Sequence, residues 1–504
     1  MTKASGDDSV RSLYKSSSSC ADHHDPDFLK TLHIQTGIDD AILLAALEHK
    51  IVILTGNPGD GKTHLIRRVQ QENFPAKAVV NKDANQLDDQ DLIDQIDDAF
   101  ASKDAFVLAI NEGVLLSICE QVKAKSVWAK VVIRSILQPY VYADEQPPVD
   151  SRILILDLNL RNNLAKDIVR QAIEKVVALT DKRGALAENA TRLRNPVVVD
   201  RLIALLDAVG QTGYHATMRD LLGFIAYLLC GGEEDSGAEP PRPYYVNAFV
   251  GGIGQLFEQV REFDPLDSPA PFIDDRLWMC LDVDDDWLLD LPAERRVKED
   301  LDLFKDRKRR SYFEYKTGNS ILRAERSEVD RTFANLKATA QAPEHVAIRL
   351  LNSFFESRAN DNDNLTLWVG HQYSAKVMRY VASRDSVSSS ALVVQIPKLP
   401  PHLVHAFSDH YPDHILLIHQ DAKNLGDGLV INRKMVAMLL AGDRTSGIGV
   451  RNPEALAKIG AFYDRLAKSA SPQKIVQILR LDNAEKVRIG VQVDTRAYFI
   501  PGGG

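Results

Sequence analysis

The segment Gly56-Asn57-Pro58-Gly59-Asp60-Gly61-Lys62-Thr63 constrains this chain more than any other. It satisfies G-x-x-x-x-G-K-[ST], and its flanks carry the periodicities such a loop needs. Ile51-Val52-Ile53-Leu54-Thr55 before it is apolar and β-branched, as a buried strand is. His64-Leu65-Ile66-Arg67-Arg68-Val69 after it has helical spacing. The glycines allow the backbone to curl so that its N–H groups converge on an anion at a helix N-terminus. Lys62 brings a cation to the β- and γ-phosphates, and the Thr63 hydroxyl can ligate Mg²⁺. The expected binding set is therefore Gly56, Asn57, Pro58, Gly59, Asp60, Gly61, Lys62, Thr63 and His64, with a nucleoside triphosphate and Mg²⁺ as the expected ligands. The plain alternative is a glycine-rich turn that binds nothing.

At 504 residues, 45% hydrophobic and 26% charged, the chain is long enough for two or three globular domains. No apolar run approaches the ~18–20 residues of a membrane span, so no membrane partner is expected. Residues 1–27 are polar without an apolar core, which predicts a disordered lead-in rather than a signal peptide. Cys20, Cys119, Cys230 and Cys280 lie far apart with no C-x-x-C pair, an argument against a disulfide framework or zinc site and for the reducing cytoplasm. A net charge of −9 gives no global attraction to nucleic acid, so any such contact needs a local patch.

Along the chain, a short amphipathic helix is predicted over 38–48, a second strand at 78–80, a helix over 91–101, and buried strands at 106–110 and 153–156. Strands alternating with helices predict a parallel sheet covered on both faces. Helical patterns follow over 168–179, 197–209 and 217–229. The expected fold class is α/β: a P-loop parallel sheet with helices on both faces and a helical lid, followed by an α+β C-terminal region. The expected domains are an ATPase core over 28–180, a lid over 181–232, a linker over 233–243, a mostly helical partner-binding region over 244–390, and an α+β region over 391–504. Within the last, 487–493 alternates as a half-buried strand does.

A phosphate loop binds; hydrolysis also needs an oriented water and a held metal. Carboxylates for these tasks usually sit at the ends of neighbouring buried strands. Strand 106–110 runs into Asn111-Glu112-Gly113, with Glu112 fifty residues after Lys62. Glu112 is the expected water-polarising residue and Asn111 the residue beside Mg²⁺, where a neutral amide would weaken metal affinity. Asn159, ending the fourth strand, is expected at the γ-phosphate or the water, with Asp157 the alternative metal-linked carboxylate. Arg219 is the expected lid cation; Arg161, Arg192 and Arg194 are weaker candidates for contacts across an interface. For each, the bland alternative is a surface or capping residue.

Loop, acidic third-strand end, polar fourth-strand end and arginine-bearing helical segment together resemble the AAA+ class of P-loop ATPases, over about residues 38–232. The resemblance implies that Lys62 and Thr63 are the Walker A pair, Asn111-Glu112 the Walker B end, Asn159 the first sensor and Arg219 the second, in a protein that forms homo-oligomers or joins other subunits. Asn in place of the usual Walker B Asp, and the lack of a fifth strand pattern between 180 and 194, are departures. Shorter matches at 109–113, 157–161 and 308–313 resemble the ATPase components of bacterial anti-phage systems of the phosphorothioation-dependent restriction type, which implies DNA as an eventual target. The leading expectation is an ATPase that couples nucleotide state to remodelling or gating of a complex. One rival is a nucleotide-dependent scaffold with little hydrolysis.

The other rival is a nucleic-acid-binding module at 305–326. There Lys305, Arg307, Lys308, Arg309, Arg310, Lys316, Arg323 and Arg326 outnumber the acids, with Tyr312, Phe313 and Tyr315 interleaved. Its bland alternative is a helix with a solvated charged face and an aromatic core face. The histidines at 402, 405, 410, 414 and 419 lack metal-ligand spacing on a regular helix, because Pro412 falls between the one i, i+4 pair.

Overall fold

A computed structural model describes residues 6–15, 26–70, 74–142, 152–232, 243–279, 301–316, 318, 324–338, 342–355, 362–373, 378–422, 425–444, 452–480, 486–492 and 497–499, less 76, 83, 85, 86 and 103. Two compact units emerge: the first takes 1–141, 146–323 and 399–411, the second 142–145, 324–398 and 412–504.

In chain order the first unit contains α1 (Gly6–Lys15), α2 (Pro26–Leu32), α3 (Gly37–Leu47), β1 (Ile51–Thr55), α4 (Lys62–Val69), β2 (Val79–Asn81), α5 (Asp89–Ser102), β3 (Phe106–Ala109), α6 (Glu112–Val122), α7 (Val127–Leu137) and β4 (Ile153–Asp157). Helices follow among the described residues: α8 (Lys166–Leu179), α9 (Ala187–Arg192), α10 (Pro196–Gly210), α11 (Met218–Cys230), α12 (Gln255–Arg261), α13 (Pro271–Trp278) and α14 (Leu301–Glu314). The four strands form a parallel sheet in the order β2-β3-β1-β4. Alternation along the strands sends Ile51, Ile53, Phe106, Leu108 and Ile155 to a face closed by α5, α6 and α7. Val52, Leu54, Val107, Ala109 and Leu156 go to the opposite face, closed by α3, α4 and the 399–411 segment. Both faces are thus dry, which is why β1 is apolar at four successive positions rather than alternating.

A second core lies among the helices, where Val169 and Ile173 of α8, Leu202 and Leu206 of α10, and Phe224 and Leu228 of α11 pack with Tyr245, Phe249, Tyr312 and Phe313. This corrects the expected boundary. The 233–242 stretch lies outside the described residues, and chain on either side of it joins one unit, because the aromatic residues after it bury against α10 and α11. Burying each such ring contributes roughly 2–3 kcal/mol. The lead-in also differs from expectation. Val10 and Leu13 of α1 enter the same core, and the buried Asp7 carboxylate accepts from Asp181 N at 3.1 Å and Leu186 N at 3.2 Å.

The second unit has α15 (Ala324–Lys337), α16 (Pro343–Phe355), β5 (Asn364–Tyr373), β6 (Met378–Ser388), β7 (Leu392–Gln395), β8 (His414–His419), β9 (Leu429–Asn432), α17 (Arg433–Arg444), α18 (Pro453–Leu466), β10 (Ser471–Arg480), β11 (Lys486–Gln492) and β12 (Ala497–Phe499). Its sheets run β12-β11-β10-β6-β5 and β7-β8-β9, with antiparallel pairing throughout. The region expected to be mostly helical up to 390 therefore ends in the hairpin β5–β6. Leu365 and Leu367 bury with Phe354 and Tyr463, so this strand pair serves the unit's core.

Candidate functional site

Between β1 and α4 the chain makes one tight loop, and its glycines carry the curvature. Gly56 has φ 136° and Gly61 φ 88°, in the region side chains avoid. A Cβ on Gly56 would also come within 2.9 Å of Asp60 Oδ2, whereas one on Gly61 would meet nothing within 4 Å. The first glycine is needed for packing and turn, and the second leaves backbone open at the start of α4. Lys62 opens that helix, is buried, and donates through Nζ to Gly56 O and Asn57 O, each at 2.9 Å. The ammonium is thus held over the loop's mouth by the loop's own carbonyls.

The flanking strands bring the expected polar residues to this loop. Because β3 and β4 lie on either side of β1, their C-terminal ends converge there. Asn57 Nδ2 donates to Asn159 Oδ1 at 2.9 Å, and Asn159 Nδ2 donates to Glu112 Oε2 at 2.6 Å. Three residues far apart in sequence form one hydrogen-bonded line. Asp157 stands opposite Thr55 in the β1–β4 register and accepts from Asn159 N at 3.0 Å. Burial pushes its carboxyl up to about 6, and the charges of Glu112 and Asp60 add to that. Asn111 is the N-cap of α6 without a side-chain cap bond. Thr63 Oγ1 donates to Lys82 O at 3.2 Å, just past β2.

The helical part of the unit closes on the other side of the loop. Arg219 N donates to Gly59 O at 3.2 Å, and His215 Nε2 lies 3.0 Å from Oδ1 of the buried Asp60. Asp60 Oδ2 in turn accepts from Asn57 N at 2.7 Å. The expected lid residue Arg219 therefore meets the loop through its backbone, at the first turn of α11. Thr217 and Asp220 cap that turn reciprocally. Sequence reading missed His215; the signal available was its place just before this capping box. His64 is paired with His33, whose Nδ1 lies 3.1 Å from His64 Nε2. Burial, with the neighbouring His33, pushes His64 down to about 4, so it is neutral at physiological pH. Arg192 pairs with Glu188 one turn away and Arg194 donates to Val177 O at 3.3 Å; neither joins the loop.

The residues present fit a phosphate-bearing ligand: an open helix start, left-handed glycines and a buried ammonium at one point. They also fit a hard cation beside it. Glu112, Asp157 and Asp60 raise the local negative potential, and Thr63 supplies a neutral oxygen. Among the described residues no group of three or more His, Cys, Asp or Glu side chains is placed to hold a metal ion.

The basic stretch at 305–326 has a different environment. On α14, Lys308 is buried and donates to Ser268 O at 2.8 Å and Asp274 Oδ2 at 3.1 Å. Arg309 grips Asp264 with Nε and Nη2, at 3.0 and 2.7 Å to Oδ2. Arg310 Nε donates at 2.7 Å to the fully buried Glu314, which also accepts from Tyr245 OH at 2.5 Å. Tyr312 OH donates to Arg201 O at 2.8 Å. These charges tie α14 into the unit rather than forming the solvated face the sequence suggested; Arg323 and Arg326 lie outside the described side chains.

Compared with known protein families, characterised proteins and solved structures, the chain matches none of them. No helix among the described residues is long and apolar enough to cross a membrane.

Proposed function

We propose that the first unit binds a nucleoside triphosphate with Mg²⁺ at residues 56–64 and hydrolyses it. The observation that carries this is the line Asn57–Asn159–Glu112, which fastens a strand-end carboxylate beside the loop that holds Lys62. A P-loop pattern alone predicts phosphate binding. A carboxylate from one flanking strand and an amide from the other, bonded to each other and to the loop, supply what positioning of a water requires. Bound Mg²⁺–ATP would provide the transferable phosphoryl group and the charge that neutralises it. On the protein's side, Lys62 and the loop N–H groups hold the phosphates, Thr63 and Asp157 flank the cation, and Glu112 accepts the proton of the attacking water. ATP is preferred over GTP in this reading because of the AAA+ likeness and the absence of an N-K-x-D signature. Oligomer formation, subunit partners and DNA-directed defence rest on that likeness alone.

Nucleotide binding and phosphate release by the purified full chain test the reading. Lys62→Ala should abolish binding with the fold intact, and Glu112→Gln should bind but not turn over, since an amide cannot take the water's proton. If Lys62→Ala retains the parental affinity, the loop is not the site. If Glu112→Gln hydrolyses at the parental rate, the base lies elsewhere. The scaffold reading keeps one supporting observation, the neutral Asn111 at the end of β3; tight binding by the parental protein without phosphate release would select it. Sizing with and without Mg²⁺–ATP tests assembly.

A further inference from the structure

Arg161 directly follows the 3₁₀ turn Leu158–Leu160. That turn touches the loop twice. A Cβ on Gly56 would lie 3.0 Å from Leu158 Cβ, and Asn159 accepts from Asn57. Arg161 is only 6% exposed. Its main chain is occupied, with N donating to Leu158 O at 3.0 Å and O accepting from Asn163 N at 3.1 Å. Its side chain is not: Nε is buried without a hydrogen-bond partner, and no carboxylate among the described residues pairs with the guanidinium.

A guanidinium does not give up its proton to escape burial, and a buried charge without a partner is costly. Burial does pull its pKa down, against the fields of Asp39, Asp60 and Asp409. Two of those carboxylates are bonded elsewhere. Asp60 accepts from Asn57 N at 2.7 Å beside His215, and Asp39 accepts from Thr36 N at 2.9 Å through Oδ2, with its buried Oδ1 3.1 Å from His33 Nε2 and otherwise unbonded. They supply a field without a bond, leaving the buried Nε with nothing to donate to. The Arg161 charge also bears on His64, which directly follows Thr63.

We infer that Arg161 is a second anion-holding residue of this site, donating to a phosphate oxygen of the nucleotide bound at 56–64. The assignment rests on the nucleotide-binding reading above. Arginine suits the role because its fork meets two phosphate oxygens at once. A structural counter-ion would be bonded to its carboxylates; Arg161 has their field and keeps its donors.

The experiment uses the full chain as wild type, Lys62→Ala and Arg161→Met, each titrated with Mg²⁺–ATP and with ADP and each melted without nucleotide. Arg161→Met should bind about tenfold more weakly or worse. Free of nucleotide it should melt no lower than wild type, because a buried charge is removed and no hydrogen bond is lost. A loss shared by ATP and ADP places the contact on the α- or β-phosphate, and a loss confined to ATP places it on the γ-phosphate; either supports the assignment. Affinity within twofold of wild type overturns it and makes Arg161 a core residue. If Arg161→Met melts early, Arg161→Lys decides, since it keeps the charge and loses the fork: a loss of about threefold or more supports the assignment, and wild-type affinity overturns it. Should the wild type itself bind no nucleotide, the site reading and this inference fall together. If only Lys62→Ala loses binding, the site stands and Arg161 alone is misassigned.

Discussion

Arg309→Ala should destabilise the first unit by about 2–3 kcal/mol while leaving nucleotide affinity unchanged. Arg309 and Asp264 are only 13% and 12% exposed, and the guanidinium approaches the carboxylate with two nitrogens. Removing one partner of a fully buried pair costs about 3–5 kcal/mol, and an exposed pair is worth about 0–1. This pair falls nearer the first case, softened because Asp264 keeps a bond from Leu266 N at 3.1 Å. Urea unfolding followed by circular dichroism gives the shift in the unit's midpoint. A double-mutant cycle with Asp264→Asn should return a coupling of about 1–3 kcal/mol. Binding of single-stranded DNA, measured across a salt series, should not change. The reasoning is refuted if Arg309→Ala unfolds at the parental midpoint while DNA affinity drops and its salt slope falls by about one, as loss of a phosphate contact requires.

Two further predictions concern the site. Asp157 has its folded pKa raised to about 6 from an ordinary 3.8, so between those values the folded state holds the extra proton and stability falls as pH rises. The loss is complete above about pH 6, and Asp157→Asn should flatten it, by about 2–3 kcal/mol between pH 4 and 7; an unchanged pH profile of the urea midpoint would remove Asp157 as its source. Arg219→Ala should reduce preference for ATP over ADP more than it reduces ADP affinity, as direct titration with both will read; an unaltered ratio would leave Arg219 as only the first turn of α11.

What the sequence disclosed was local. The run 51–69 announces strand, loop and helix because each piece has its own period and the glycines fix the turn. The ends of β3 and β4 could be proposed as site residues for the same reason. That these strands flank β1, and that Asn159 bridges Asn57 to Glu112, depends on strand order, which no local pattern encodes. The errors have the same cause. Asp7 made the first helix look like polar lead-in, yet its partners are Asp181 and Leu186, far along the chain. Lys308 and Arg309 looked like a free basic face because Asp274 and Asp264 are 34 and 45 residues away. The hairpin β5–β6 was different: Leu365-Thr366-Leu367 alternates visibly, and a helical reading passed over a period-2 signal.

The two contacts from the segment that opens α11, Arg219 to Gly59 and His215 to Asp60, set a lower limit on the smallest piece of this protein that keeps the loop's shape. A fragment ending near residue 180 would retain the sheet, the loop, Glu112 and Asn159. It would lack the two braces on Gly59 and Asp60 and leave Asp60 with a vacant side. Excising the machinery intact requires α11, and α11 brings the helices packed around it, down to Tyr14 of α1, whose ring lies 5.3 Å from that of Tyr227. For this chain, minimisation by truncation is a matter of the helical body, not of the motif.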